Sequence, residues 1–250
     1  MTEAARRRLG FGVFTLVMVA VFIALGLWQL QRRVEKHALI AALTERLAAE
    51  PEALPSPSQW NALRAERDEF RRVRFKATLI SAPDAMVYSS GSAVRGDVSG
   101  PGTWAFMPAR LASGETVVVN AGFVPNTMQD RSLEDRAVKP LVSGEPVMMT
   151  GYIRFPQTAG MLTPAENAAK RLWFTRDHLA MARSLGWGEV AAFYIDLEQP
   201  MPASGIPKPG PLEVHLKDDH LQYAITWFAL AAAVAIAFLV WWGGRRHQSG

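Results

Sequence analysis

The chain has 250 residues, of which 49% are apolar, with a formal net charge of +4 and no cysteine. The lack of cysteine excludes disulfide bonds, thiolate zinc or copper sites, cysteine-ligated iron–sulfur clusters and covalently attached haem. The ten methionines are scattered along the chain, so we interpret them as packing residues.

Two long segments carry no charged side chain, Leu9–Gln31 near the start and Leu221–Gly244 near the end. Each exceeds the roughly 20 residues that a helix needs to cross a hydrocarbon core about 30 Å thick. Trp28 and the pair Trp241–Trp242 lie near the ends of these segments and suit the headgroup region of a bilayer. We therefore predict two transmembrane helices, with two buried core helices as the alternative.

The positive charge lies in the two tails, at Arg6–Arg8 and Arg245–Arg246, with Glu3 as the one acidic residue there. When these are set aside, 22 of the 27 basic and 22 of the 23 acidic residues remain between positions 32 and 220. A neutral middle segment lacks the basic surface of a nucleic-acid-binding protein. By the positive-inside rule, we predict that both termini are cytoplasmic and that the middle segment lies outside.

The start of the chain has a second interpretation, a cleaved signal peptide with a cleavage site at Ala24–Gly26. The apolar stretch is longer than that of a signal peptide and continues into Leu27–Trp28, which favours an uncleaved anchor. Arg7–Arg8 is also a weak hint of a twin-arginine signal. No long Ser- and Arg-rich transit segment precedes the helix, which favours a bacterial inner membrane over a mitochondrial one.

The middle segment is predicted to fold as an α+β domain. Val34–Ala49 consists of good helix formers and either extends the first membrane helix or lies at its mouth. From Phe70 the apolar pattern repeats every two residues, and glycine-rich connections separate short strands, which is typical of a small antiparallel β-barrel or sandwich. The predicted strands are Phe70–Ile80, Ala85–Ser89, Thr103–Leu111, Thr116–Val124, Pro146–Phe155, Ala192–Leu197 and Leu212–Leu216, and the predicted soluble helices are Ser58–Glu69 and Asp177–Leu185.

The predicted organisation has five parts: a cytoplasmic tail (1–8), a first transmembrane helix (9–31), a periplasmic domain (32–219), a second transmembrane helix (220–244) and a second cytoplasmic tail (245–250). The chain contains no nucleophile elbow, phosphate-binding loop, dinucleotide fingerprint or zinc-protease motif, so we predict no catalytic residues and no enzymatic activity. Arg154, Arg171, Arg176 and Asp177 are candidates for a polar pocket, but surface charges or a structural ion pair are the default interpretation.

His220 is the last ionisable residue before the second apolar segment, where such groups are costly and usually functional. On one helix face it is followed by Tyr223 and Trp227. Because the two predicted crossings are antiparallel, Trp28 and Gln29 should lie at the same level. Imidazole is the commonest axial ligand of haem iron, yet from the residues alone an interfacial anchor is the favoured role of His220.

Six segments in order along the chain resemble the Surfeit locus protein 1 family of cytochrome c oxidase assembly factors. Leu25–Arg32 is similar to the family pattern Leu-Gly-x-Trp-Gln-x-x-Arg, and His220–Trp227 is similar to His-Leu-Gln-Tyr-x-x-Thr-Trp. The other four segments are Val119–Pro125, Thr163–Asn167, Leu172–Asp177 and Phe193–Asp196. The resemblance departs at Ala121, where the family usually has arginine, and between Pro164 and Glu166, where this chain has one extra residue.

The resemblance implies an assembly factor that acts while haem a is installed in the catalytic subunit of the oxidase. It places the haem-binding histidine of bacterial members on His220, which favours an iron ligand over an anchor. The implied partners are the catalytic subunit and membrane lipid, with the haem a synthase as a further candidate. The alternative is a structural partner that stabilises an early oxidase assembly intermediate without binding haem.

Overall fold

The computed structural model describes residues 3–92, 95–125, 138–213 and 218–244. The chain divides into two compact units, one formed by Met1–Ala41 with Leu216–Gly250 and the other by Ala42–His215. The helices are α1 (Glu3–Ala48), α2 (Ala65–Asp68), α3 (His178–Leu185) and α4 (His220–Gly244). The strands are β1 (Glu52–Ala53), β2 (Arg72–Leu79), β3 (Ala85–Ser89), β4 (Gly102–Leu111), β5 (Thr116–Pro125), β6 (Val147–Arg154), β7 (Leu172–Trp173) and β8 (Tyr194–Gln199).

The first unit contains two helices that are long and apolar enough to cross a membrane, within Leu9–Ala48 and His220–Trp242. The prediction of a membrane protein with one such helix near each end is confirmed. α1 continues without a break beyond Gln31 to Ala48, because the segment after the apolar run contains neither glycine nor proline. The predicted helix after the first crossing is therefore an extension of that crossing.

The two long helices pack antiparallel, since residues early in α1 contact residues late in α4. Phe11 lies 4.7 Å from Trp241 between ring centroids, and Gly12 faces Phe238. Gly26 allows a close approach, because a Cβ atom there would lie 2.5 Å from the ring of Phe228. Small residues at such positions let two membrane helices approach each other closely.

The second unit is built on a closed five-stranded barrel with strands in the order β2, β6, β8, β5 and β4. β4 pairs back onto β2 through three register positions, which closes the ring. Neighbouring strands are antiparallel except β5 and β8, which are parallel. The predicted small barrel is confirmed, and the parallel pair arises because β8 inserts between β6 and β5.

Alternation along the strands fills the barrel. Odd-numbered residues of the ring strands point inward and form one buried cluster; examples are Phe75, Met107, Val119, Met149 and Ile195. The alternation reverses near the end of β5, where Val124 belongs to this cluster and Phe123 does not. Even-numbered residues of β4, β5 and β8 form a second cluster together with residues of β3, β7 and α3; its members include Trp104, Phe106, Val118, Trp173, Met181 and Tyr194. The pattern with a period of two residues therefore predicts the barrel interior, while burial on both faces explains the nearly continuous apolar runs of β4 and β5.

Several local elements differ from the sequence prediction. The predicted helix Ser58–Glu69 is divided into a 3-10 turn at Pro57–Ala62 and the short α2, because the backbone is extended at Leu63. The two-residue strands β1 and β7 were not predicted, since each is defined by a parallel neighbour. Of the predicted strand Leu212–Leu216, Leu212 and Glu213 lie outside any strand, and the remainder lies outside the described residues.

Candidate functional site

His220 is the first residue of α4, and its side chain contacts the other long helix. Its Nδ1 atom lies 2.7 Å from Oε1 of Gln29. An amide oxygen only accepts hydrogen bonds, so the shared hydrogen belongs to Nδ1. In the neutral form of the imidazole, the lone pair then lies on Nε2, the nitrogen that can bind a metal.

Asp218 holds the start of α4 against α1. Its Oδ1 atom accepts a 3.0 Å hydrogen bond from the backbone N–H of His220, and its Oδ2 atom lies 2.6 Å from Nε2 of His37. Arg33 lies 3.8 Å away through its Nε atom. The hydrogen bond from the His220 backbone, together with His37, lowers the pKa of Asp218 below its ordinary value. The carboxylate therefore remains charged at neutral pH. It fixes the position of the His220 backbone, and so of its side chain, relative to α1.

The other predicted site residues divide into two groups. Trp227 is half-buried and stacks on Phe22 of α1, with ring centroids 5.7 Å apart. Tyr223 and Trp28 are 55% and 52% exposed. His220 thus contacts Gln29, one of the predicted site residues, whereas the partner of Trp227 is Phe22, which was not predicted. Tyr223 and Trp28 remain exposed.

Four residues around the site were not predicted from the sequence: Phe22, Arg33, His37 and Asp218. Helical spacing carries a signal for three of them, since Phe22, Arg33 and His37 lie seven residues before, four after and eight after Gln29. Residues at these spacings share one helix face, so a search for partners of His220 along that face would have found them.

The other described histidines have structural partners. His178 is buried, and its Nε2 atom lies 2.9 Å from the backbone oxygen of Ala191. Burial lowers the pKa of His178, so this side chain is neutral. His215 and His247 lie outside the described residues. Among the residues that the structure describes, no group of three or more His, Asp and Glu side chains could hold a metal ion.

A second polar cluster lies on the outer face of the barrel, across the neighbouring strands β5, β8 and β6. Asp196 accepts hydrogen bonds of 2.7 Å from both Asn120 and Arg154. Arg154 also donates to Glu69 at 2.7 Å. Burial lowers the pKa of Arg154, but Asp196 and Glu69 raise it by more, so the net shift is upward. The guanidinium is therefore a permanent cation that binds these elements together.

The four residues considered for a polar pocket do not converge. Arg176 joins Arg154 at Asp196, at 3.3 Å. Arg171 instead lies 2.9 Å from Asp84, and Asp177 accepts a hydrogen bond from the backbone of Ala180 as the N-cap of α3. The interpretation as structural ion pairs therefore describes these residues better than a binding pocket does.

The fold and the site together define a membrane protein with two apolar helices, a barrel domain between them in the chain and a single oriented imidazole at the start of the second helix. A sequence model of the SURF1 family matches residues 16–232. The chain is 32% identical to Surfeit locus protein 1 of Homo sapiens over 234 residues, which cover 89% of this chain and 74% of the human protein.

Two further relatives extend this likeness. Surfeit locus protein 1 of Rattus norvegicus is 31% identical over 232 residues, covering 89% of this chain and 72% of the rat protein. The SURF1-like protein of Monosiga brevicollis is 28% identical over 259 residues, covering 99% of this chain and 92% of the relative. The chain belongs to the SURF1 family, as its sequence motifs predicted. This membership supports a role as an assembly factor for cytochrome c oxidase, and such a role implies interaction with oxidase subunits.

The two departures from the family pattern lie in the barrel domain. Ala121 is on β5, is 4% exposed and belongs to the barrel interior. In the loop with the extra residue, Thr163 bonds back to Gly160 through both its backbone and its hydroxyl group. The turn closed in this way presents Met161 and Leu162 to the surroundings.

Proposed function

We propose that this protein binds haem a as cargo through His220 and passes it to the catalytic subunit of cytochrome c oxidase during assembly. The contact between Nδ1 of His220 and Oε1 of Gln29, at 2.7 Å, carries this proposal. In the neutral imidazole, this contact makes Nε2 the Lewis base, at the start of an apolar helix. A porphyrin is wide and apolar, so it requires apolar surface with one such base.

The aromatic side chains near His220 fit this cargo. Trp227 and Phe22 stack on each other about two turns into the helix from His220 and add apolar surface along the helix pair. Tyr223 and Trp28 are exposed and available to cover the porphyrin. A site between only two helices is open on its sides, so the cargo can leave laterally toward a membrane-embedded partner.

The charge distribution extends the proposal to topology and location. Arg6–Arg8 and Arg245–Arg246 favour cytoplasmic tails, and in a bacterial inner membrane the barrel domain would then be periplasmic. Reporter fusions after Gly250 and within the Gly91–Gly102 loop should report opposite sides. If both report the same side, this topology is wrong.

In this proposal the haem a synthase is a candidate donor of the haem, and the catalytic subunit of the oxidase is the acceptor.

The test of haem binding is His220→Ala in the full-length protein, co-expressed with the enzymes that make haem a. We expect normal membrane accumulation and a loss of about tenfold or more in co-purified haem a, read from the visible spectrum, since a direct iron ligand contributes more than an outer-shell residue. Gln31→Leu is the control, because Gln31 lies on the same end of α1 but bonds to Glu35 and not to His220 or Asp218. We expect that variant to retain its haem.

Two results would contradict the proposal. Full haem content with an unchanged spectrum in His220→Ala would return His220 to an interfacial anchor. Oxidase subunits that co-purify with wild-type protein in the absence of any pigment would support the structural-partner alternative.

A further inference from the structure

We propose that Gln29 is a positioning residue that sets the tautomer and the ring orientation of His220, and that it does so without touching the haem. This inference rests on the proposed function of His220. It assigns the two residues different roles within one site. His220 would bind the iron, and Gln29 would act through His220.

The geometry favours this division. The amide oxygen of Gln29 faces Nδ1 of His220 at 2.7 Å, so Gln29 occupies the nitrogen that a ligand on Nε2 leaves unused. The two residues come from different helices, and both are half-buried. One turn further along α1, Arg33 lies beside Asp218, and His37 bonds to the same carboxylate. The next polar side chains along this face of α1 therefore contact Asp218 and not His220, which leaves Gln29 as the partner of the imidazole.

The chemistry of an amide partner suits a carrier. A histidine that binds metal usually donates its other N–H group to an oxygen atom, which fixes the tautomer and orients the ring. A carboxylate in that position makes the imidazole a stronger donor to the metal. The neutral amide of Gln29 fixes the tautomer but strengthens the donor less. An oriented ligand that binds moderately is what a protein needs if it must later release its haem.

The competing role of Gln29 is structural. A polar side chain between membrane helices can serve only to hold the helices together through a hydrogen bond. In that case the choice of tautomer would be incidental, and the loss of Gln29 would change helix association and protein amount but not the affinity of the remaining folded protein for haem. The two roles therefore differ in measurable ways.

The experiment compares Gln29→Leu, Gln29→Glu and Gln31→Leu in full-length protein reconstituted in lipid nanodiscs. Gln31 is the matched control, since it lies two residues away on the same helix and bonds to Glu35. The first measurement is made without haem. Nitrogen-15 NMR of histidine-labelled protein reports the tautomer of His220, with the signal identified by its absence in His220→Ala.

The second measurement is a titration with haem a, followed by visible absorption. For Gln29→Leu we expect the hydrogen to move from Nδ1 toward Nε2 in part of the population, and the haem affinity to fall about tenfold, the low end of the effect of outer-shell residues. Gln29→Glu should keep the hydrogen on Nδ1 and bind haem a at least as tightly as the wild type. Gln31→Leu should match the wild type in both measurements.

The outcomes separate this inference from the proposed function. If Gln29→Leu keeps the wild-type tautomer, or keeps the wild-type affinity, then Gln29 does not position His220. The proposed function still stands if His220→Ala loses haem in the same assay. If His220→Ala retains haem, the proposed function fails, whatever Gln29 does.

Discussion

The barrel domain and the helix pair differ in how many partners their polar side chains have. In the barrel, Asp196 accepts hydrogen bonds from Asn120, Arg154 and Arg176. Arg154 also donates a hydrogen bond to Glu69. In the helix pair, Nδ1 of His220 has the neutral amide of Gln29 as its partner, and the lone pair of the neutral imidazole would lie on Nε2. A buried group with several charged partners contributes to the integrity of the fold. A group that keeps a lone pair is suited to bind something else.

The largest effect is expected where the barrel cluster is broken. Asp196→Ala leaves the buried guanidinium of Arg154 without its main counter-ion, and removing one partner of a buried pair costs about 3–5 kcal/mol of unfolding free energy. Denaturant unfolding of the full-length protein in detergent, followed by tryptophan fluorescence, measures this loss.

The control for Asp196→Ala is Glu52→Ala, which removes the carboxylate of the exposed ion pair with Arg71. Exposed pairs contribute about 0–1 kcal/mol, so this variant should unfold close to the wild type. Equal losses of unfolding free energy in the two variants would mean that the buried Asp196 cluster stabilises the fold no more than an exposed ion pair does.

An intermediate effect is expected at alkaline pH. Burial, followed by the negative charge of Glu198, raises the pKa of Tyr152 from 10.0 to about 12. The unfolded chain therefore loses this proton first, so stability is complete below pH 10 and declines as the pH rises from 10 to 12. A shift of two units corresponds to about 3 kcal/mol at most.

Unfolding measured across this pH range in the wild type and in Tyr152→Phe tests that sign. The variant lacks the ionising hydroxyl group, so its stability should fall less steeply above pH 10. Tyr88→Phe is the control, because Tyr88 is 40% exposed and should leave the wild-type slope unchanged. A slope in Tyr152→Phe as steep as that of the wild type would exclude Tyr152 as the source.

The smallest change in stability is expected in the helix pair, where it should be accompanied by a loss of haem content. In Gly26→Ala the new Cβ atom would crowd the ring of Phe228, and overpacking of this kind costs at least about 1 kcal/mol. Because Gly26 lies one turn before Gln29, separation of the helices there should also weaken the contact with His220 and lower the haem content.

Gly10→Ala is the matched control for this substitution, since a Cβ atom at Gly10 would meet nothing within 4 Å among the described atoms. Haem content per folded protein and thermal unfolding in detergent would be measured for both variants. If Gly26→Ala keeps full haem content, the close approach of the helices does not support the site.

Much of the fold could be predicted because its signals are local. An uncharged run of more than twenty residues indicates a membrane helix whatever surrounds it, since the backbone can satisfy its own hydrogen bonds there. Alternation of apolar residues predicted most of the strands, with Ala85–Ser89 correct at both ends. β1 and β7 escaped prediction because two residues carry no period, and only the neighbouring strand makes them part of the sheet.

The candidate site shows where sequence reasoning ends. By itself, the sequence determined that His220, Tyr223, Trp227, Trp28 and Gln29 belong to the ends of two apolar segments, because chain direction and helix length are properties of a single segment. Only the tertiary structure decided that Gln29 and not its neighbour Trp28 faces the imidazole, and that Phe22 is the partner of Trp227. The rotation of one helix against another depends on packing along their whole length, through contacts such as Gly26 with Phe228. No single segment contains that information.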